Sequence, residues 1–163
     1  MTLRLILVRH AKSSWKEPAL SDHERPLNKR GRASAKAVGD WLRRKGYAPD
    51  TVLSSTSERT RETHALMETK APAEFDRTLY LSSAQNMLKA LQGASGDTVM
   101  MLGHNPGTGE FAERLATKLP SHERFLDYPT CATTVLEFEA DSWNEVSFGT
   151  GKVKAFVIPR ELT

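Results

Sequence analysis

The chain opens with LRLILV at residues 3–8, a nearly continuous aliphatic run bounded by polar residues. A strand of that kind is covered on both faces and belongs at the centre of a sheet. Beyond a polar loop holding Pro18 and Pro26, the segment from Asn28 to Gly46 places Ala35, Val38, Trp41 and Leu42 on one side at helical spacing. Arg43, Arg44 and Lys45 fall in its last turn, where cations meet the negative end of the helix dipole, and Gly46 is a natural stop. The pattern then repeats. DTVLSS at 50–55 reads as a short strand, and SERTRETHALMET as a helix capped by Ser57 or Thr56. A short segment around Glu74 to Asp76 leads to a helix containing Met87, Leu88 and Leu91. TVMMLG at 98–103 is a third strand, followed by the turn HNPG. The next helix is predicted from Thr108 to Leu119, with Phe111, Ala112, Leu115, Ala116 and Leu119 along one side.

After that the character changes. TTVLEFEA and KVKAFVIP read as two strands joined by a loop with Trp143, Gly149 and Gly151, and no helix lies between them. Strand and helix alternation followed by adjacent strands predicts an α/β fold: a three-layer sandwich with a mostly parallel central sheet and an antiparallel portion. With 163 residues and no repeat, low-complexity tract or linker, a single domain over 1–163 is expected.

Composition narrows the partners more than the fold. Apolar residues make up 39% and charged residues 26%, which excludes a disordered chain. The net charge is +3, but 23 basic residues are interleaved with 20 acidic ones, so no nucleic-acid partner is expected. The basic cluster at 43–45 is accounted for as a dipole-matched helix end. The longest apolar run, LILV, is far too short to cross a bilayer, and the N-terminus lacks a signal-peptide pattern. Cys131 is the only cysteine and cannot form an internal disulfide, which suits a reducing compartment. A cytoplasmic monomer with no membrane association is expected.

Candidate chemistry follows from the strand ends. Ligands of open α/β sheets bind beyond the carboxyl ends of the strands. Arg9 and His10 follow the first strand, Ser54 and Ser55 end the second with Arg59 opening the next helix, and His104 and Asn105 follow the third. A lone histidine carries little weight, and His23, His64 and His122 read as structural or surface residues. Two arginines and two histidines at equivalent strand ends would repel one another without an anion. Phosphate fits, because guanidinium forks match its oxygens and helix N-termini offer backbone donors. Neighbouring cations lower the pKa of a histidine in that clamp and keep it neutral, which makes His10 a nucleophile candidate.

Other phosphate chemistries lack their residues. There is no Walker A loop, and Glu137 stands six residues after Cys131, where a cysteine phosphatase carries arginine. No D-x-D pair, H-E-x-x-H or zinc-type spacing is found. No metal and no cofactor are expected.

The residues then resemble a family, the histidine phosphatase superfamily, also called phosphoglycerate-mutase-like, and within it the short SixA-type phosphohistidine phosphatases. The resemblance is carried by Arg9-His10-Ala11-Lys12-Ser13, Arg25-Pro26-Leu27 with Gly31, Ser54-Ser55 with Arg59 and Thr63, Gly103-His104-Asn105-Pro106, and the terminal PREL. It implies that His10 takes the phosphoryl group, that Arg9 and Arg59 bind its oxygens, and that His104 completes the pocket. Arg25 and Asn105 are implied as further phosphate or substrate contacts.

Two departures bear on the substrate. Ala11 stands where the family signature has glycine. Residues 78–96 contain no Asp or Glu, although many relatives place their proton donor there. An alkoxide leaving group needs that donor, whereas a phosphoramidate leaves as neutral imidazole once its ring is protonated. Asp22 and Glu24 are the nearest candidate donors in sequence, and otherwise read as solvated loop charges. The expected activity is a metal-independent phosphatase acting on protein phosphohistidine. The alternatives are a small-molecule phosphomonoesterase of the same superfamily and a non-catalytic anion or nucleic-acid binding module.

Overall fold

The computed structural model describes residues 1–163, and its centre is the opening aliphatic run. β1 (Thr2–Arg9) lies inside a six-stranded sheet with β2 (Thr51–Ser54), β3 (Ala73–Phe75), β4 (Thr98–Gly103), β5 (Thr133–Glu139) and β6 (Lys152–Val157), in the order β3-β2-β4-β1-β5-β6. The first four of these are parallel, while β5 runs antiparallel to both β1 and β6. The antiparallel part follows from the loops: β5 and β6 are joined without a crossover helix, so they must reverse.

Four helices complete two outer layers: α1 (Lys29–Arg44), α2 (Glu58–Met67), α3 (Ala84–Gln92) and α4 (Gly107–Leu115). The central strands are apolar throughout because successive residues serve different layers. Leu3, Leu5, Leu7, Val99 and Met101 join the core under α3 and α4. Ile6, Val8, Met100 and Leu102 join Ala35, Val38, Leu42 and Met67 under α1 and α2.

Local signals set the helix ends. The Asn28 side chain accepts from the Gly31 amide at 2.7 Å, and Gly46, at φ 76°, follows the last turn of α1 in the left-handed conformation that glycine adopts without strain. Ser57, and not Thr56, caps α2 by accepting from the Thr60 amide. The segment around Glu74 forms the parallel edge strand β3. It is too short to show a period.

The helix predicted to reach Leu119 ends four residues earlier. Ala116 turns extended and bridges to Gly151. The Arg114 and Leu115 carbonyls accept instead from the amides of Gly149 and Gly151, at 2.8 Å each, so the loop before β6 takes the place of another helical turn. Leu119 is consequently exposed.

α1 and α2 pack at close range through Gly39, where an added Cβ would lie 2.6 Å from the Met67 carbonyl oxygen and 2.7 Å from its Cα. Helix propensity favours alanine over glycine by about 1 kcal/mol, but forced overpacking costs about 1–3 kcal/mol. The backbone neighbour cannot yield as a flexible side chain would. Gly39→Ala is therefore expected to lower stability by roughly 1–2 kcal/mol despite the better helix former, as read from the urea midpoint.

Candidate active site

The site forms where two neighbouring parallel strands send their chains to opposite layers. β1 and β4 pair in register, Arg9 opposite Gly103, and the His10 amide donates to the Gly103 carbonyl at 3.0 Å. Beyond that point one chain leads to α1 and the other to α4, on opposite faces of the sheet. This is the switch point at which α/β sheets open a crevice. His10 and His104 stand on its two lips, their ring centroids 5.1 Å apart.

β2 lies on the far side of β4, and Arg59, in the first turn of α2, reaches back between the two rings. Its Nε lies 3.4 Å from His10 Nε2, and its Nη2 lies 3.3 Å from His104 Nδ1. His10, Arg59 and His104 are 7%, 5% and 2% exposed. Arg9 closes the other side, its Nη1 donating to the Tyr128 carbonyl at 3.1 Å while its Nε is buried without a partner. The four residues expected from the strand ends are thus gathered at one crevice.

Hydrogen bonds orient each ring. His10 Nδ1 lies 2.7 Å from the Ala11 carbonyl, which only accepts, so the ring proton sits on Nδ1 and the Nε2 lone pair faces Arg59. His104 Nδ1 faces the donor Arg59 Nη2, so the ring proton sits on Nε2, which donates to Ser55 Oγ at 2.8 Å. Behind the nucleophile candidate, Thr63 Oγ1 donates to the Arg59 carbonyl at 2.7 Å and accepts from the Ala11 amide at 3.0 Å, tying α2 to the His10 loop. Ala11 itself is buried, which accommodates its methyl group.

Burial, with the charges of Arg59 and Arg9 behind it, pushes His10 down to about 4. Burial likewise lowers His104, and the charge His10 takes up first helps hold it at about 3. Both imidazoles are therefore neutral at physiological pH. Burial and Arg59 lower Arg9 as well. The Cys131 thiol is fully buried and pushed up to about 12, so it is no nucleophile; its amide supports the His10 carbonyl at 2.9 Å. Tyr128 and Cys131, at φ 48° and 62°, hold left-handed conformations in this supporting loop.

Asp22 proves to be part of the cluster. Its carboxylate accepts from Arg59 Nη2 at 2.9 Å and from the Tyr80 hydroxyl, and its carbonyl accepts from Arg59 Nη1 at 2.6 Å. Burial works against the ionised carboxyl, but the Tyr80 and Arg59 hydrogen bonds outweigh it and hold Asp22 below the usual range. Tyr80 also stands edge-on to the His104 ring, 5.3 Å away. Neither residue carries a sequence signal strong enough to separate it from ordinary loop polarity. Glu24 bonds Ser21 and takes no part.

Two expected contacts stand apart. The Asn105 side chain is consumed in the scaffold: Nδ2 donates to the Tyr128 and Asp127 carbonyls, and Oδ1 accepts from the Gly109 amide. It pins the loop that holds Arg9, so both ends of its amide are committed to protein partners. Arg25 lies over the Trp15 ring, 3.8 Å from its centroid, with Nε and Nη1 buried and unpartnered, and makes no hydrogen bond to the His10 cluster. No group of three or more His, Cys, Asp or Glu side chains forms a metal-binding cluster, and no helix is long and apolar enough to cross a membrane.

Comparison with known proteins agrees with this geometry. The family model described as histidine phosphatase superfamily (branch 1) matches residues 5–80. An uncharacterized protein of Mycobacterium tuberculosis is 34% identical over 160 residues, spanning 94% of this chain and 100% of the relative. The structure of a Nakamurella multipartitia protein designated a phosphohistidine phosphatase SixA superposes with a TM-score of 0.86 at 26% identity, over 98% of this chain and 97% of its own. Plasmodium falciparum phosphoglycerate mutase shares the fold at 19% identity, with a TM-score of 0.62 over 96% of this chain and 91% of its own. With paired histidines and arginines at the switch point of that fold, the chain belongs to the histidine phosphatase superfamily, in its SixA-type group, and is a histidine-type phosphatase.

Proposed function

We propose that one domain spanning residues 1–163 hydrolyses phosphohistidine on another protein, through a covalent phosphohistidine formed at His10 without a metal. The observation that carries this reading is the His10 ring: Nδ1 is tied to the Ala11 carbonyl, and the unprotonated Nε2 faces the guanidinium of Arg59. A neutral imidazole beside two guanidinium groups is a nucleophile already placed against the charge that its electrophile brings.

In the first step the His10 Nε2 lone pair forms a bond to phosphorus and the substrate's P–N bond breaks. Its electron pair goes to the departing ring nitrogen, and a ring protonated at its other nitrogen leaves as neutral imidazole. Water then attacks the phosphorus of phospho-His10, the electron pair returns to Nε2, and inorganic phosphate is released. Arg59 and Arg9 bind the phosphoryl oxygens. The buried Arg9 Nε has no partner in the protein and supports that role, since an acceptor brought by the substrate would satisfy it. His104, whose Nδ1 accepts from Arg59 Nη2, holds that guanidinium toward the phosphoryl group. Arg25 keeps two unmet donors for the outer part of the substrate.

The leaving group favours phosphohistidine over a phosphate ester. Asp22 is the only carboxylate bonded to the cluster and is held ionised by Tyr80 and Arg59, so it carries no proton for an alkoxide at neutral pH. The Nakamurella protein of 26% identity, designated a phosphohistidine phosphatase SixA, supports the same substrate class.

Brief incubation with phosphoramidate should leave an acid-labile phosphate on His10, seen by mass spectrometry and missing in His10→Ala. An adduct elsewhere, or turnover with none, would rule out the covalent path. Phosphoramidate should be hydrolysed well ahead of a phosphomonoester such as p-nitrophenyl phosphate; the reverse order identifies a small-molecule esterase. Arg59→Ala removes one well-placed charged donor, and its kcat should fall by roughly 10²–10³ in steady-state assays.

The pH response has a definite sign. His10 and His104 protonate near 6.5 in an ordinary setting but only near 4 and 3 in the fold. Between these values the unfolded chain binds more protons, so stability falls on acidification from about pH 6.5 toward 4. Urea midpoints at pH 7 and pH 5 should show this loss, and His10→Ala should make it smaller. kcat/KM should decline as free His10 protonates, with the acid limb below about pH 5.

A further inference from the structure

A second concavity lies on the same edge of the sheet as the His10 cluster and uses none of its four side chains. It is a groove of about 500 Å³ whose charged lining is Lys12, Arg30, Arg124 and Arg160, over a floor that includes Ile158 and Pro159. Strand register places it. Thr133, at the start of β5, pairs with Val8 on one side and with Val157 at the end of β6 on the other. Residues 158–160 therefore emerge two strands from β1, about 10 Å at ordinary strand spacing, on the edge where His10 stands. Lys12, two residues beyond His10, forms the near wall.

The lining is one-signed. No carboxylate lines the groove, and the only one that reaches a lining cation is Asp127, 2.8 Å from Arg124 Nε. Lys12, Arg30 and Arg160 are exposed and make no ion pair. In a chain whose net charge is only +3, four cations without a lining acid are a local excess, and a concave wall focuses their field.

The kind of partner follows from what else is there. A site for one small anion presents buried, converging donors, but the buried unpartnered side-chain atoms belong to Arg9, Arg25 and Thr108, and none of these residues lines the groove. A single-stranded nucleic acid needs aromatic rings on which to stack its bases, and the lining has none. Spread, solvated cations over an apolar floor suit a protein surface that carries several carboxylates.

We propose that this groove docks an acidic surface of the phosphorylated protein beside its phosphohistidine, so that protein substrates are selected by charge outside the pocket that holds the transferred group. The proposal rests on the substrate class inferred above. Free phosphoramidate would use the His10 pocket alone.

The test compares two substrates: phosphoramidate, and a histidine-phosphorylated phosphocarrier protein with carboxylates flanking the modified residue. The variant is Arg30→Glu combined with Arg160→Glu. Glutamate in the first turn of α1 suits the helix dipole, so folding is retained. For the phosphoprotein, kcat/KM should fall by about tenfold or more through KM, and its salt dependence should flatten. Phosphoramidate turnover should stay within about twofold of wild type, since rim charges act on encounter and not on the reacting atoms.

Equal kcat/KM for the phosphoprotein in wild type and variant would overturn the docking role. So would a parallel loss with phosphoramidate, which would put the arginines into the phosphate site. A variant that loses only its binding to a single-stranded DNA 20-mer would assign the groove to nucleic acid and overturn it too. A wild-type enzyme that turns over phosphoramidate but not the phosphoprotein would instead remove the substrate class itself, an outcome visible before any variant is made.

Discussion

The pairing of β1 with β4, Arg9 opposite Gly103, is the constraint from which the site follows. Parallel neighbours whose chains depart to opposite layers leave a crevice that no side chain of either layer fills. Because the register is fixed by backbone hydrogen bonds along six residue pairs, the residues after the two strands emerge at the same height. That is why His10 and His104 face each other, although they stand 94 positions apart in the chain. A slip of one residue would exchange the face of the strand under α1 and α2 for the face under α3 and α4, so the side chains packed in both layers enforce the geometry of the pocket.

Within that frame the electrostatics are costly by design. Arg9 and Arg59 are brought together beside two buried imidazoles, and the only carboxylate bonded to them is Asp22. Placing like charges side by side in a half-desolvated site is unfavourable, and lowered histidine pKa values are how the fold limits the cost. The same circumstance defines the chemistry of a histidine-type phosphatase. A site that disfavours its own positive charge favours a bound anion, and its two imidazoles stay unprotonated at neutral pH. Asp22 partly neutralises the free state, and Tyr80 holds it in place.

Much of this was legible in the sequence because it is written in local terms. The strands were readable from the solid apolar runs at 5–8 and 98–103, α1 and α2 from their spacing and their Asn28 and Ser57 caps, and the candidate site from the habit of α/β sheets to bind beyond their strand ends. The length of α4 was not, since its end is set by the Gly149 and Gly151 amides, more than thirty residues on. Nor was Tyr80, or the choice between the candidates Asp22 and Glu24, because Asp22 and Tyr80 lie 58 positions apart and meet only through the fold. Asn105 follows the strand as a phosphate ligand would, yet its amide is spent on the loop that supports Arg9.

Sequence alone thus determined the residue types and their place at the carboxyl ends of the strands, because strand period, helix caps and motif spacing act over a few neighbours. Tertiary structure decided which nitrogen of His10 is free, what Arg59 faces, which loop carboxylate enters the pocket and where four cations without a lining acid gather. Those depend on distances between segments remote in the chain, and hydrogen bonds and desolvation are settled only when such segments meet.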